Sequence, residues 1–564
     1  MPAGNSRPKR TEEKITIQWP RKRLQVEPSR PSVQQMEQYP PQFSDAARGG
    51  LLLSGDNFDS LSWLLANGYH GSVRLVYLDP PYNSNRTYTS RVRLRGKGQP
   101  TLGEMAAYDD IWQPGAYLQF LADRLLLLRD LLHPDGTLWL HCDHRMQAQL
   151  LLLLAEIFGP DSHLNTVFWR SQTMRGAKVH ARFFPNSAQA IHIFRRTPKG
   201  RPVWNAPKRE IVLSEKDAAA QFMRDERGFF RTSDPGTYSF ERLAALSAEG
   251  RLYAPYGGNV IVDEDAQRVY ASNGGNIGVK YHLTQRGRNH YVLIRPVDNL
   301  WDDIPGLGTV PGEDENYPTQ KTERLLQRIL ETASNPGDLV LDPFVGSGTT
   351  LTVAQELGRD WLGCDSSWRA IRTAAGRLSR RLPPADSSGS EKGSCSDQEQ
   401  GGGRNCSRNE YGYRILRLGN GSSVYSSQHW QDLHASPAAE IRLDQDGGRL
   451  NIRIEQFLSS QLDHLAAKAN VILPPDWRPQ VRAVLIDPDF DGKTLRPALV
   501  DAPAGKSALV AGTYSCSPPV DPGNQDRDRA PHRTVAILIV DVAGEEHLFV
   551  DSTSVPGTAS QGEI

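Results

Sequence analysis

The sequence predicts an α/β protein built on a layered sheet of parallel strands with helices between them. Short apolar runs at residues 51–53 and 73–78 end in polar turn residues, which is typical of strands buried on both faces of a sheet. Leucines recur at helical spacing over residues 118–132, before a Pro-Asp-Gly turn. The same alternation of strand and helix returns after residue 317, so two stretches of the chain contribute to one sheet.

The elements follow from local pattern in each stretch. In the first stretch, residues 46–195, a strand is expected at 137–141 and a helix at 145–158, which Gly159 ends. In the second stretch, residues 301–383, the expected elements are an amphipathic helix at 323–330, a strand at 339–341, a helix at 349–357 and a strand at 361–364. These two stretches form the predicted catalytic domain.

The remaining segments differ from this pattern in composition. Residues 1–45 are rich in Pro and Gln, and residues 1–30 carry eight Lys/Arg against three Glu, which indicates a disordered basic arm. Residues 196–300 are expected to form an insert, in which residues 211–300 are rich in Gly, Asn and Tyr and indicate short strands and loops. Five Gly and six Ser make residues 384–410 a flexible linker. Residues 411–564 then form a separate C-terminal α+β unit that is net acidic.

Overall composition excludes several classes of protein. The five cysteines are scattered without metal-ligand spacing, so neither a disulfide framework nor structural zinc is expected. No apolar run approaches the ~20 residues of a membrane span, and no signal peptide opens the chain. We therefore expect a soluble cytoplasmic protein without a metal. The net charge is zero, but residues 166–210 carry ten Lys/Arg against one Glu, with aromatics interleaved.

Residues 79–82 read Asp-Pro-Pro-Tyr, directly after the apolar run 73–78. Open α/β sheets bind ligands at the carboxyl ends of their strands. Two prolines remove two N–H donors, so the carbonyl oxygens beside Asp79 face outward as acceptors. A carboxylate with a bare carbonyl suits an exocyclic amino group, and a tyrosine can stack on the ring that bears it. Asp79, Pro80, Pro81 and Tyr82 are the candidate catalytic residues, and an ordinary Asp-Pro turn is the alternative.

A second constellation, Asp-Pro-Phe-Val-Gly-Ser-Gly-Thr-Thr at residues 342–350, joins a strand to a helix, and Asp365 closes the next strand. Glycines permit close approach of a nucleotide-like cofactor, and a later acid can hold ribose hydroxyls. No Gly-Lys-Ser/Thr follows, which excludes a Walker A loop, and Leu351 breaks the dinucleotide motif. An acid before the loop and no phosphate-binding lysine favour a cofactor with a cationic amino-acid end, such as S-adenosylmethionine.

Together these motifs resemble those of the amino-methylating DNA methyltransferases, which carry a catalytic DPPY and a cofactor-binding FxGxG. The order here, with DPPY at 79–82 before FxGxG at 344–348, is similar to the circularly permuted beta group, which includes the modification subunits of type III restriction systems. Further matches are Gly-Asp-Asn at 55–57, Tyr-Pro-Thr-Gln-Lys at 317–321 and Arg-Asp-Trp-Leu-Gly-Cys-Asp at 359–365. The resemblance implies a Rossmann-like, S-adenosylmethionine-dependent sheet, circularly permuted, with the insert at 196–300 as its target-recognition region.

The resemblance also implies roles for individual residues. Asp79 and the Pro80 carbonyl accept hydrogen bonds from an adenine N6 amino group, and Tyr82 stacks on the base, which is extruded from duplex DNA. No cysteine nucleophile is needed, so Cys142 and Cys364 are interpreted as core residues. The cofactor residues implied are Asp342, Phe344, Gly346, Gly348 and Thr349 at the methionine end, Asp365 at the ribose, Asp56 near the adenine, and Gln320 and Lys321 for further contacts.

The basic stretch at 166–210 is the predicted surface for the DNA backbone, because Lys and Arg neutralise phosphates. Its candidate contacts are Arg170, Arg175, Lys178 and Arg182, and a solvated edge of the domain is the alternative. Asp109 and Asp110 are either an acid pair on the substrate side or part of a solvated loop. Expected partners are double-stranded DNA, a restriction subunit and, by analogy with type III modification subunits, a second copy of the chain.

Three other functions remain open at this point. The same clamp methylates N4 of cytosine in enzymes that more often carry Ser than Asp before Pro-Pro-Tyr, so Asp79 favours adenine. A catalytically silent DNA-recognition subunit of a restriction complex is the second, and the intact Asp79, Tyr82, Gly346 and Asp365 count against it. Methylation of an amino group in RNA or protein is the third, where Asn-Pro-Pro-Tyr is the commoner clamp.

Overall fold

A computed structural model describes nine segments of the chain, which divide into two compact units. The described residues are 15–41, 43, 48–172, 182–310, 312–382, 411–419, 439–446, 449–516 and 533–553. One unit comprises Met1–Asn205 with Asn299–Ile564, and the other is Ala206–Asp298. The predicted linker at 384–410 lies outside the described residues.

The first unit is built on a mixed sheet of ten strands. In chain order these are β1 (Ser32–Tyr39), β2 (Arg48–Ser54), β3 (Val73–Leu78), β4 (Leu132–Cys142), β5 (His163–Arg170), β6 (Ala188–Arg195), β7 (Leu300–Trp301), β8 (Leu339–Asp342), β9 (Asp360–Asp365) and β10 (Tyr411–Gly419). Across the sheet the order is β1-β10-β2-β9-β8-β3-β4-β6-β5-β7. The six strands from β10 to β4 run parallel, whereas β1 and β6 are antiparallel to their neighbours.

Helices cover this sheet, as the α/β prediction requires. They are α1 (Asn57–Ala66), α2 (Pro114–Leu131), α3 (Gln147–Phe158), α4 (Glu323–Ala333), α5 (Thr349–Glu356) and α6 (Trp368–Ser379). The leucines of α2 join the apolar strands in one buried core. The predicted Pro-Asp-Gly turn at 134–136 falls inside β4, where the pairing with β3 shifts register between Val73 and Leu75. The α/β fold class is confirmed.

Four neighbouring parallel strands position the candidate site. The adjacent strands β2, β9, β8 and β3 all end at the same edge of the sheet. An aspartate closes or follows each of them: Asp56 after β2, Asp365 on β9, Asp342 on β8 and Asp79 after β3. Residues that are up to about 300 positions apart in sequence therefore meet at one edge, where such sheets bind ligands.

The prediction of a disordered basic arm over residues 1–45 is wrong for residues 15–41. Strand β1 pairs along its length with β10, and the Trp19 indole is buried and donates a hydrogen bond to Gln119 on α2 at 3.1 Å. Lys22 forms an ion pair with Glu156 on α3 at 2.5 Å. Two of the basic residues that suggested disorder, Lys22 and Arg23, thus have acidic partners on the helices, which composition alone does not reveal.

The prediction of a separate unit over residues 411–564 is also wrong. Strand β10 lies inside the main sheet, between β1 and β2, and it buries side chains on both of its faces. Arg372 on α6 forms buried ion pairs with Glu37 on β1 and with Glu546. A strand supplied after a Gly/Ser-rich segment completes the sheet, so composition marks no domain boundary here.

The rest of the C-terminal region has a β core of its own within the same unit. Its elements are Ala439–Asp446, Arg449–Phe457, Val481–Asp487, Leu499–Asp501, Thr513–Cys516, Arg533–Asp541 and Glu546–Thr553, with helix Ser460–Lys468. They form a three-stranded and a four-stranded sheet. Apolar side chains from both sheets pack into one cluster.

The second unit, Ala206–Asp298, corresponds to the expected insert but begins ten residues later. Residues 196–205 belong to the first unit, where Trp204 stacks on Trp139 of β4. The strands of the second unit are Lys208–Ser214, Met223–Asp225, Gly228–Ser233, Leu252–Tyr253, Val260–Asp263, Arg268–Ala271, Gly278–His282, Thr284–Gln285 and His290–Pro296, with helices Glu215–Gln221 and Phe240–Ala248.

Across the described segments of both units, every helix is too short or too polar to cross a membrane.

Candidate active site

A cavity of about 320 Å³ opens at the edge where the four aspartates meet. Asp56, Asp79, Asp342 and Asp365 all line it. Five other predicted cofactor residues line it as well, namely Gln320, Lys321, Phe344, Gly346 and Thr349, and so does Tyr317. The predicted Gly348 does not line the cavity. The two sequence motifs therefore form the walls of a single cavity, which is large enough for a small organic ligand.

Asp79 sits in this cavity with two partners. The Tyr82 hydroxyl donates to Oδ1 at 2.6 Å, and the Lys321 ammonium donates to Oδ2 at 2.5 Å. The Lys321 ammonium also lies 5.3 Å from the centre of the Tyr82 ring. The Pro80 carbonyl accepts no hydrogen bond from the part of the chain that the structure describes. Asp79 and Pro80 thus present a charged and a neutral acceptor side by side.

Asp110 holds the loop that follows the two prolines. Its buried carboxylate accepts the backbone N–H groups of Tyr82, Asn83 and Ser84 at 2.8–3.1 Å, and Asn83 adopts the left-handed conformation with φ 54°. Three amide donors suit a carboxylate, so Asp110 positions the loop that follows Pro81. Because Asp110 is buried, the alternative of a solvated loop is wrong for this residue. Asp109 and Asp110 both line the cavity, so an acid pair on the substrate side stays a prediction. Asp109 is exposed and accepts from the Thr87 hydroxyl.

The glycine loop is tied to the acids on either side of it. Asp342 Oδ1 accepts the Phe344 N–H at 2.9 Å, and Asp365 accepts the N–H groups of Gly346 at 2.8 Å and Ser367 at 2.9 Å. Burial raises the pKa of Asp342 to about 7 and that of Asp365 to about 6. Because both carboxyls resist ionisation without a counter-charge, a cationic group in the cavity would stabilise their ionised forms.

Two positions in this loop require glycine. Gly346 and Gly348 have φ of 52° and 80°, in the left-handed region that side chains disfavour. A Cβ on Gly348 would lie 2.7 Å from Cβ of Ala374, and a Cβ on Gly346 would lie 3.2 Å from the Tyr317 ring. The loop therefore packs closely against α6 on one side and borders the cavity on the other.

Asp56 is held by a residue that the sequence analysis did not single out. It caps α1 by accepting the Phe58 N–H at 2.7 Å, and the Arg124 guanidinium on α2 donates to both of its oxygens at 2.9 and 3.1 Å. Arg124 also donates to Asn57, whose amide donates to the Pro343 carbonyl. A chain of polar contacts thus connects α2, α1 and the glycine loop.

A β-hairpin, Arg86–Arg93 with Thr101–Asp110, adds an aromatic wall. Tyr88 and Tyr108 stack with ring centres 4.9 Å apart. The Tyr108 hydroxyl lies 3.1 Å from the Thr319 hydroxyl, across the cavity mouth. The sequence analysis missed this hairpin. The pattern in the sequence that could have indicated the hairpin is the recurrence of tyrosine, at Tyr88 and Tyr108, among polar residues.

Buried groups beneath the cavity stay uncharged. Burial raises the pKa of both Tyr77 and Tyr82 well above the usual range, so both hydroxyls remain donors. Burial, with the Lys321 charge, lowers the pKa of His141 to about 3, and its Nδ1 lies 2.8 Å from the Tyr77 hydroxyl. Cys142 and Cys364 are buried with raised thiol pKa values. Neither thiol is therefore activated as a nucleophile.

Three predicted cofactor residues, Gln320, Lys321 and Thr349, form hydrogen bonds to other parts of the protein. Lys321 contacts the Asp79 carboxylate, as described above. Gln320 binds backbone groups of Glu313 and Glu315, so it fixes its own loop. The Thr349 hydroxyl accepts from Arg377 at 2.8 Å and bonds the Lys321 carbonyl, which joins the two walls of the cavity.

The predicted DNA-binding residues are only partly described. Arg170 ends β5 and Arg182 precedes β6, and both are exposed. Because β6 is antiparallel to β4, its start lies at the edge where β4 ends, which is the edge that bears the cavity. Arg175 and Lys178 lie outside the described residues.

Comparison with known proteins identifies a family and several relatives, and the family match includes both motifs. A family model, N6_N4_Mtase, described as DNA methylase, matches residues 73–376, more than half of the chain. Type II methyltransferase M.EcaI of Enterobacter cloacae is 30% identical over 361 residues, covering 59% of this chain and 70% of the relative. The probable type III HindVI Mod subunit of Haemophilus influenzae is 24% identical over 56% of this chain and 48% of its own. DNA adenine methyltransferase YhdJ of Escherichia coli is 48% identical over 25% of this chain and 50% of its own.

Proposed function

This chain belongs to the N6/N4 DNA methylase family, and from that premise we propose that it transfers a methyl group from S-adenosylmethionine to the N6 amino group of adenine at a specific site in duplex DNA. The observation that carries the proposal is the pair of acceptors formed by Asp79 and the Pro80 carbonyl, beside Tyr82, inside the cavity that the glycine loop also lines. An exocyclic amino group has two N–H donors, and this pair offers one acceptor for each.

The donor set of the cavity fits S-adenosylmethionine. When bound, this cofactor supplies an electrophilic methyl group on a sulfonium, together with a cationic amino-acid end. Asp342 and Asp365, whose pKa values burial raises to about 7 and 6, would ionise beside such cations and hold the methionine and ribose ends. Phe344, Gly346 and Thr349 would line the methionine end and Asp56 the adenine. Gln320 and Lys321 would act from the facing segment.

The chain's own residues would act mainly by positioning. Asp79 and Pro80 would accept the two N–H groups of the amino group and turn its lone pair out of conjugation with the ring, towards the methyl group that the bound cofactor would supply. Tyr82 and the hairpin tyrosines offer faces on which an extruded base can stack. Asp110 and Tyr117, which donates to the Pro81 carbonyl at 2.6 Å, keep the clamp in place.

Adenine is favoured over cytosine by two observations. Asp79 stands where the cytosine N4 enzymes more often carry Ser. A relative named as a DNA adenine methyltransferase is 48% identical to this chain over 151 residues. The order of DPPY before FxGxG further supports the circularly permuted beta group.

Partners follow as part of the same proposal. Arg170, Arg175, Lys178 and Arg182 would contact phosphates of double-stranded DNA, and Ala206–Asp298 would read its sequence as the target-recognition region. The relative named as a type III Mod subunit supports a restriction subunit as a partner, and a homodimer follows by analogy. Such a protein would act in the cytoplasm.

The test is direct measurement of the methylated base. Purified protein is incubated with tritiated S-adenosylmethionine and duplex DNA, and the DNA is digested to nucleosides. We expect label in N6-methyl-2′-deoxyadenosine. Label in N4-methyl-2′-deoxycytidine, or label found only in a parallel reaction with RNA, would replace the adenine assignment, and DNA binding without any transfer would indicate a silent recognition subunit.

A further inference from the structure

A second, smaller cleft of about 50 Å³ lies where the hairpin, the segment before Tyr317, α6 and the C-terminal β region meet. Three half-buried arginines from three of these elements line it: Arg95, Arg369 and Arg482. We call this the arginine cleft. Its remaining charged residues are Arg93, Asp314, Glu315 and Lys506.

The acids of the cleft are already paired with other cations. Asp314 forms an ion pair with Lys506 at 2.6 Å, and Glu315 forms one with Arg380. In the described residues neither carboxylate forms an ion pair with the three arginines, on which Glu315, Asp501 and Asp541 act only at longer range.

The three guanidinium groups accordingly have no carboxylate partner in the described residues. Arg95 donates only to backbone carbonyls, of Pro503, Gly505 and Ala508 at 2.7–2.8 Å. Arg482 donates to the Glu315 carbonyl at 3.3 Å. Nε and Nη1 of Arg369 are buried without any hydrogen-bond partner.

Such an arrangement is costly unless an anion neutralises it. Like charges repel more strongly where water is partly excluded, and an unpaired buried charge destabilises a fold. Burial and the neighbouring arginines Arg369 and Arg95 lower the pKa of Arg482 to about 10, against the opposing effect of Glu315. A guanidinium also offers a planar pair of donors that matches the oxygens of phosphate.

We propose that the arginine cleft binds a phosphate-class oxyanion, either inorganic phosphate or a phosphate of the DNA backbone. The cleft has room for several water-sized groups, which suits a tetrahedral oxyanion. Arg369 lies two residues after Ser367, which lines the candidate active site, so an anion here would brace the wall of that cavity. Only the DNA alternative rests on the proposed function, because phosphate binding can be measured without any transfer.

The test compares wild type with Arg482→Gln and Arg369→Gln. Arg478→Gln is the matched control, since Arg478 is a surface arginine paired with Asp476. Binding of inorganic phosphate is measured by calorimetry, and Tm is measured with phosphate replacing NaCl at constant ionic strength. We expect phosphate at about one hundred times Kd to raise the Tm of wild type and of the control by roughly 5 °C, and that of the two cleft variants far less.

The salt dependence of DNA binding then separates the two sources of phosphate. A slope of log K against log salt that falls by about one in Arg482→Gln identifies a backbone phosphate. An unchanged slope together with lost phosphate binding identifies the free anion. Equal phosphate stabilisation of wild type and both cleft variants would overturn the proposal. Arg369→Gln keeps the test decisive if Arg482→Gln does not fold, because its two buried donors bind nothing in the protein.

Discussion

The Asp79 carboxylate already accepts two hydrogen bonds from the protein itself, before any base is bound. Lys321 and Tyr82 each bond one of its oxygens, yet an ionised carboxylate has about four lone-pair sites, so each oxygen can still accept a further N–H. Lys321 is nearly buried, with 8% of its side chain exposed. It therefore depends on Asp79 for its counter-charge, and the ion pair fixes the carboxylate against the base of the cavity.

This dependence makes Asp79→Ala a change with two separable effects. Methyl transfer should fall on the order of 10²- to 10³-fold or more, because one acceptor of the clamp is lost. The free energy of unfolding should fall by about 3–5 kcal/mol, because Lys321 is left buried and unpaired. Transfer assays and thermal unfolding measure the two effects, with the exposed Asp161→Ala as a control for both.

The double variant Asp79→Ala/Lys321→Met distinguishes them. Removing the orphaned charge should restore most of the lost stability without restoring transfer. Cofactor affinity is measured on Asp79→Ala itself, at a temperature at which it is folded, and calorimetry should find it close to that of wild type because Lys321 is retained. Loss of S-adenosylmethionine binding in folded Asp79→Ala would contradict the placement of Asp79 on the base rather than the cofactor.

The raised pKa values of Asp342 and Asp365 predict a pH dependence of binding. Both carboxyls are neutral at low pH, so they stabilise the ligand-free fold most below about pH 4, their unfolded value, and that contribution is lost as pH rises through 6 and 7. A cationic cofactor needs the ionised forms. Its affinity should therefore increase about tenfold or more between pH 5.5 and 8.

Calorimetry in buffers of different ionisation enthalpy measures this affinity and the protons released. Asp342→Asn should weaken binding at pH 8 and flatten the profile. Tighter binding at pH 5.5 than at pH 8 would rule out ionised Asp342 as the partner of the cationic end and ionised Asp365 as the acceptor of the ribose hydroxyls.

Sequence reasoning located the motif residues but not the residues that hold them. Asp79, Asp342 and Asp365 lie in short motifs after apolar runs, which a single sequence displays. Lys321 and Asp79 are 242 positions apart, and Arg124 and Asp56 are 68 apart. The first pair forms only when strands from the two stretches of chain align, and the second forms only when α1 and α2 pack together. No local pattern encodes either contact.

At the scale of elements, buried parallel strands were the most predictable. The apolar runs at 51–53, 73–78, 339–341 and 361–364 correspond to β2, β3, β8 and β9, because strands covered on both faces need continuous apolar sequence. The hairpin Arg86–Arg93/Thr101–Asp110 was missed because it is partly exposed and interrupts apolar residues with charged ones. The site depends on both kinds of element.

The contact between the glycine loop and α6 gives a prediction at this scale. Gly348→Ala should destabilise the protein by about 2–5 kcal/mol, because it adds a left-handed alanine and a Cβ 2.7 Å from Ala374. Gly308→Ala is the matched control, since its Cβ would meet open space, and it should change stability by less than about 0.5 kcal/mol. Thermal unfolding of both variants checks this. Equal stability of the two would mean that the loop and α6 separate readily.

At the scale of the whole molecule, the boundaries drawn from composition were the weakest predictions. Charge suggested a disordered arm and a Gly/Ser-rich stretch suggested an independent C-terminal unit, yet β1 and β10 extend the main sheet side by side. Each was identifiable only through the other, because they form an antiparallel pair whose members are nearly four hundred residues apart. The N- and C-terminal regions therefore stabilise the catalytic sheet together.

Arg372 on α6 connects the N-terminal and C-terminal regions to the sheet through a single side chain. Its side chain, 4% exposed, contacts Glu37 of β1 and Glu546 of the C-terminal β region, so Arg372→Met leaves two buried carboxylates without their cation. We expect a loss of about 3–5 kcal/mol in the free energy of unfolding. Arg381→Met, which removes a more exposed arginine paired with Glu323, should cost less than about 1 kcal/mol. If the two variants lose the same free energy of unfolding, the ion pairs of Arg372 with Glu37 and Glu546 do not couple the terminal regions to the sheet.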